Sequence, residues 1–165
     1  MVVFDTETTG CSCRDEICQI AAVEYVRGEK SRTLKLYICP TCEMNPFAER
    51  VHGLSLKFLF RHGLAPETAM RQFFEFVGND VLLVAHNAKF DLRMVRQECE
   101  KFDLDFAPEG LEICDTLALA RFCRPDLNCH ALGYLIEVLG LEAANSHDAL
   151  DDAYACAEVF FAVLR

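Results

Sequence analysis

The chain has 165 residues, 52% of them apolar, and a formal net charge of −10. That length and apolar content suit a single domain over residues 1–165 and exclude a disordered or low-complexity chain. No run approaches the roughly 18 apolar residues needed to span a bilayer, and no basic-then-apolar leader opens the chain, so the sequence predicts a soluble, unexported protein that is cytoplasmic or in the nucleoid or nucleus, with no membrane partner.

The first element is the apolar run Val2-Val3-Phe4, which reads as a buried strand over residues 2–6 and continues into Asp5-Thr6-Glu7. Side chains alternate along a strand, so Asp5 and Glu7 point the same way and share one small space. Carboxylates that close raise each other's pKa, and a hard cation between them, Mg²⁺ or Mn²⁺, relieves the repulsion. The same Asp-x-Glu is also compatible with a polar strand end facing water. Thr8-Thr9-Gly10 then turns the chain where backbone can approach a ligand closely.

Strands near 17–27 and 33–38 follow, with the alternation of a meander that pairs antiparallel. A loop holding Pro40, Pro46 and Gly53 leads to helical segments near 55–62 and 67–77. Val81 to Ala85 reads as another strand and runs through His86-Asn87-Ala88-Lys89-Phe90-Asp91 into a helix over 88–102. Asp91 falls in its first turn, where the helix N-terminus alone would favour an acid. A short strand near 112–114 and helices near 116–123, 130–139 and 147–164 complete the pattern. The last opens on Ser146-His147-Asp148-Ala149-Leu150-Asp151-Asp152, which by itself reads as a capped surface helix rich in early acids. Three strands and then alternating helices and strands predict an α/β mixed sheet, an antiparallel meander plus parallel strands, with helices on both faces.

Together the three acidic segments resemble the DnaQ-like, DEDDh-type 3′-to-5′ exonucleases. Asp5-Thr6-Glu7, Asn87-Ala88-Lys89-Phe90-Asp91, and His147 followed five residues later by Asp152 stand in the family's order. Pro46 to Leu54 is similar to its substrate-loop segment, and Cys114-Asp115-Thr116-Leu117 to its next strand and helix. The resemblance implies a ribonuclease H-like fold. It also implies two divalent cations, Mg²⁺ or Mn²⁺, held by Asp5, Glu7 and Asp152 with Asp91 acting directly or through a water, and His147 as general base. Asp148 and Asp151 then fit helix-start stabilisation. Thr8, His52, Leu54 and Phe90 are expected at the terminal nucleotide, where apolar contact tolerates any base.

The implied partner is the 3′ end of a nucleic acid, DNA favoured over RNA, with a polymerase or another replication or repair protein as a possible companion. An RNA-trimming nuclease and a catalytically silent binding module are the competing readings. The acidic balance does not count against a nucleic-acid partner, because bound cations supply charge that meets the phosphate. Basic residues flank the motif segments: Arg50, Lys57 and Arg61 on one side, Lys89, Arg93 and Arg96 on the other. The ten cysteines include Cys39-Pro40-Thr41-Cys42, but no second pair follows at zinc-finger spacing, and reduced thiols are expected. His62, His86 and His130 read as structural or surface residues.

Overall fold

The computed structural model describes residues 1–104, 111–144 and 146–164. Among them, five strands form one sheet of order β3-β2-β1-β4-β5. The strands are β1 (Val2–Thr8), β2 (Ile17–Val26), β3 (Glu29–Tyr37), β4 (Leu82–Ala85) and β5 (Glu112–Asp115). β1 pairs antiparallel with β2, and β2 with β3; β1 pairs parallel with β4, and β4 with β5. The mixed sheet expected from the sequence is therefore the sheet observed.

The central position of β1 follows from its composition, because a strand covered on both faces must be apolar nearly throughout. Its even residues Val2 and Phe4 pack with Ile20, Phe73, Met94 and Val95. Its odd residue Val3 packs with Val84, Cys156 and Ala157 on the opposite face. The first face is covered by α3 (Pro66–Val77) and α4 (Ala88–Phe102), and the second by α7 (Ala149–Val163). Small residues let α7 lie close to the sheet: Ala149, Ala153, Ala155 and Ala157 are all fully buried. Between them, α5 (Thr116–Cys123) and α6 (Leu132–Val138) complete a satellite core around Leu135, Ala155 and Val159.

Two differences from the sequence reading concern edges. β3 starts at Glu29 rather than near 33; its first residues are all exposed and polar, so no apolar alternation marks them, and charge is normal on an edge strand. The β2–β3 hairpin turns through Arg27 (φ 54°) and Gly28 (φ 85°), the paired positive φ of a type I′ turn. The segment expected to be loop contains α1 (Pro46–His52), capped by the Asn45 side chain, opened by Pro46 and ended by Gly53 at φ 73°. It is followed by α2 (Leu56–His62), capped by Ser55.

Gly63 ends α2 where two backbones meet. A Cβ there would lie 2.6 Å from both Cys39 N and Leu59 O and 2.8 Å from Ile38 C, all main-chain atoms that cannot swing aside. Gly63→Ala is expected to destabilise the protein by about 1–3 kcal/mol, the usual range for overpacking, and so to lower Tm by several degrees. An unchanged thermal melt would show that this crossing can relax.

Candidate active site

Asp5 and Glu7 stand at the C-terminal end of β1, both on the face that α7 covers. A register shift against β2 falls between Glu7 and Thr8, so the pairing loosens as the strand reaches the site. Asp91 comes from the first turn of α4 and Asp152 from the first turn of α7; both are buried. The structure thus draws four acids from three distant segments to one strand end. Their mutual electrostatics record the proximity: burial first, and then the charges of Asp91, Glu7 and Asp152, push Asp5 well above the ordinary carboxylate range. Burial followed by Asp152 and Asp91 raises Glu7 to about 8, and burial raises Asp91 to about 7 and Asp152 more mildly.

Each acid outside β1 is held by a neighbour. Asp91 Oδ1 accepts from Thr6 N (3.1 Å) and from Thr6 Oγ1 (2.7 Å). Asp152 Oδ1 accepts from Ser146 N at 3.2 Å. Asp148, the N-cap of α7, is drawn away by Lys35 Nζ at 2.6 Å and Gln19 Nε2 at 3.0 Å, while Gln19 Oε1 accepts from Ala149 N. Ser146 Oγ donates to Asp151 at 2.7 Å. Asp148 and Asp151 therefore brace the helix start. Thr6, Gln19 and Ser146 are the positioning residues that sequence reasoning missed; Thr6 and Ser146 lie within the acidic segments and Gln19 outside them, and nothing in the sequence marks their partners.

His147 does not open the last helix as the sequence suggested. It precedes α7 in the left-handed region at φ 53°, a costly backbone for a non-glycine residue that recurs at functional sites. Its exposed ring reaches back to the acids: one ring nitrogen and one oxygen each of Glu7 and Asp152 lie within 4.8 Å of one another. A donor set dominated by buried carboxylate oxygens suits a hard divalent cation. The charge such an ion brings would relieve the repulsion that raises these pKa values.

Two spaces flank the acids. A pocket of about 280 Å³ borders Glu7 and is lined by Thr8, His52 and Phe90, with Phe47 and Val51 of α1. Phe47 was not singled out from the sequence, yet it is 68% exposed at this mouth, with Arg50 over its ring. Arg93 stands over the Phe90 ring in the same way. His52 Nδ1 accepts from Leu54 N at 3.0 Å, and burial lowers its pKa against the opposing pull of the Thr8 backbone. Leu54 is not part of this lining; beyond the Gly53 turn it packs against the cluster of Cys18, Met44 and Leu59. The second space, about 1020 Å³, borders Asp5, His147 and Asp152 and reaches His86 and His130. Both histidines line this space and also brace its wall, His86 beside Thr116 Oγ1 and His130 beside the Arg124 carbonyl.

Comparison with known proteins gives one family. The exonuclease model RNase_T matches residues 2–160. The chain is 33% identical over 165 residues to the PolC-type DNA polymerase III of Caldanaerobacter subterraneus subsp. tengcongensis, covering 99% of this chain and 11% of that protein. It is 37% identical over 164 residues to that of Oceanobacillus iheyensis, covering 93% and 11%. The chain thus spans about a tenth of the length of these curated relatives. Among solved structures, the zinc-bound complex of E. coli exonuclease I with single-stranded DNA superposes with a TM-score of 0.87 at 21% identity, covering 98% of this chain and 39% of that one. Exonuclease X in complex with 5′-overhanging duplex DNA gives 0.77 at 22%, covering 99% and 90%. At those identities the structures establish the fold.

The raised carboxylates fix a sign for the pH dependence. A native state that holds protons more tightly than the unfolded chain is favoured at low pH, so this contribution is complete below the ordinary carboxylate pKa of about 4. It is lost as pH rises through about 7 for Asp91 and about 8 for Glu7. In EDTA, Tm is expected to fall between about pH 5 and 8.5. Added Mg²⁺ or Mn²⁺ replaces those protons, so its stabilising effect should grow across the same window. A metal increment independent of pH, or no increment, would contradict the shared acidic site.

Proposed function

The chain belongs to the exonuclease family, the DnaQ-like DEDDh enzymes of the ribonuclease H-like superfamily, and from that membership we propose that residues 1–165 act as one two-metal 3′-to-5′ exonuclease domain that releases nucleoside 5′-monophosphates from DNA. The single observation that carries this reading is the convergence of Asp5, Glu7, Asp91, Asp152 and His147 at the end of the central strand. The DNA substrate, and an association with a polymerase or another replication or repair protein, rest on the PolC-type relatives. Among the described residues no helix is long and apolar enough to cross a membrane.

Asp5, Glu7 and Asp152 would hold one divalent cation, Asp5 would share a second, and Asp91 would serve directly or through a water. When bound, Mg²⁺ or Mn²⁺ supplies positive charge against the phosphate and lowers the pKa of a water. The remaining work falls to the chain itself. A ring nitrogen of His147 takes the proton of the attacking water. The water oxygen bonds to phosphorus in line with the departing 3′ oxygen, the P–O3′ bond breaks with its electron pair on that oxygen, and the oxygen takes up a proton from solvent to leave as a 3′-hydroxyl. Thr8, His52 and Phe90 seat the terminal nucleoside in the smaller pocket. Leu54 acts indirectly, by packing beneath the turn that presents His52.

His147→Ala should reduce turnover by about 10²–10⁴, the usual worth of a general base, while leaving metal-induced stabilisation largely intact. Asp5→Ala should remove both. On a 5′-labelled single strand the wild type should give a ladder shortened from the 3′ end. A label released first as a mononucleotide would reverse the polarity, and loss of metal stabilisation in His147→Ala would make the histidine a ligand. Faster hydrolysis of a matched RNA strand would favour the RNA-trimming reading. Binding of both strands with no cleavage in either metal would make the domain a silent module.

A further inference from the structure

Asp148 divides its two carboxylate oxygens between a helix and the sheet. Oδ1 accepts from Leu150 N at 3.1 Å and caps α7, which is all that an N-cap requires. Oδ2 accepts instead from Lys35 Nζ of β3 at 2.6 Å and from Gln19 Nε2 of β2 at 3.0 Å. Ala149 N completes the link by donating to Gln19 Oε1 at 3.0 Å. The residue immediately before this junction is His147, held at φ 53°.

We propose that Lys35, on the edge strand of the sheet, is a positioning residue for His147: its ammonium holds Asp148 against the sheet and so sets where the imidazole stands relative to Glu7 and Asp152. The proposal rests on the exonuclease reading above and adds to it a residue far in sequence from the three acidic segments.

The sheet register brings Lys35 to the site. Asp5 pairs with Ala21 across β1 and β2, and Ala21 with Lys35 across β2 and β3. Directly opposed residues project from the same face, so Asp5, Ala21 and Lys35 form one row on the face that α7 covers, while Leu34 and Leu36 pack into the core of the other face. Neighbouring strands lie about 4.8 Å apart, which puts the β3 backbone roughly 10 Å from that of β1. Ala21 adds a single methyl group between them, and the lysine stem reaches the start of α7, where Asp148 stands.

The pull of Lys35 has an opponent. The charge of Asp148 adds to those that raise Asp5 and Glu7, so the acids at the strand end repel the very carboxylate that adjoins His147. The ammonium draws it back toward the sheet. The pair is also better shielded than a surface pair: the Lys35 and Asp148 side chains are 32% and 27% exposed, against 63% and 49% for Arg71 and Glu67, so salt screens it less. The Tyr37 ring, 5.6 Å from Nζ, steadies the ammonium further. Without Lys35 the Gln19 and Leu150 bonds to Asp148 remain, and α7 keeps its cap. What is lost is the charge that balances the repulsion, and His147 shifts outward with its neighbour.

The test uses Lys35→Met, which keeps an apolar stem without the charge, and Lys35→Arg. On a 5′-labelled oligothymidylate Lys35→Met should lower kcat about ten- to hundredfold, the effect of a small misplacement, with KM unchanged, and Lys35→Arg should restore most of it. In His147→Ala, which has no ring to place, Lys35→Met should cost nothing further. An equal further loss there would show that the lysine acts elsewhere. A raised KM at unchanged kcat would make it a substrate contact, and a lowered Tm at unchanged kcat a mere brace of the helix; each of these three results overturns the proposal. If the wild type cleaves nothing, the exonuclease reading itself falls. Placement of the ring is then judged from the ¹H–¹³C spectrum of the five histidines, in which the His147 signal is the one lost in His147→Ala. A signal moved by Lys35→Met and returned by Lys35→Arg supports the positioning role, and an unmoved signal overturns it.

Discussion

Like charges buried side by side at the end of β1 are the constraint around which this fold is arranged. Asp5 and Glu7 cannot turn away from each other, because the alternation of a central strand sets their direction. Asp91 and Asp152 sit on helices and would relieve the repulsion by rotating toward water if nothing held them. The two hydrogen bonds from Thr6 hold the first, and the Ser146 amide holds the second. Burial and mutual repulsion therefore remain in the structure as raised pKa values. In physical terms the four acids are held in place by neighbouring polar groups, which is the pre-organisation that the proposed cation site would require.

The same constraint is compatible with the proposed nucleic-acid substrate despite a net charge of −10. Some of the acids are gathered at the strand end, where cations can offset them, and others are spent locally. Asp148 is matched by Lys35, Glu24 by Arg32, and Glu16 by Lys101. The basic residues near the motifs are likewise partly committed. Arg93 donates to the Cys11 carbonyl at 3.2 Å and covers Phe90, and Arg50 covers Phe47. These arginines shape the walls of the small pocket more than they raise its potential. Under the proposed function, phosphate attraction would depend on bound cations and on few free side chains, which favours modest affinity over tight electrostatic capture.

The parts of this architecture that were legible in the sequence share a property: each is stated by local alternation or by a buried run. β1, β4 and α7 were readable because their apolar patterns are strong, and the pairing of Asp5 with Glu7 followed from strand geometry alone. α1 was missed because it buries none of its residues, so no periodicity marks it, although Asn45-Pro46 and Gly53 spell its two caps. The start of β3 was missed for the same reason. Leu54 stands two residues from His52, but Gly53 at φ 73° turns the chain between them and sends Leu54 into a separate cluster. The tethers from Thr6, Gln19 and Ser146 connect residues up to 130 apart in sequence, a distance over which one sequence carries no local signal. The larger cleft is likewise assembled from β1, the β4–α4 connection, α5, the α5–α6 connection and α7, and no one segment announces it.

The placement of His147 shows why the helix begins after the histidine and not at it. Within a first turn its direction would be set by the helix, and it would project beside Asp151, four residues on. Outside the helix, at φ 53°, its backbone is pinned from both sides. Ser146 is bound to Asp151 and Asp152, and Asp148 to Lys35, Gln19 and the Leu150 amide. The ring itself is exposed and within reach of Glu7 and Asp152. A pinned backbone with an exposed ring beside the acids suits the proposed role of His147 as proton acceptor, since the ring borders both the acids and solvent. The five-residue offset between His147 and Asp152 then has a structural origin. It spans one residue at positive φ, one cap and the opening turn of α7, which puts an imidazole outside the helix and a carboxylate inside it at the same site.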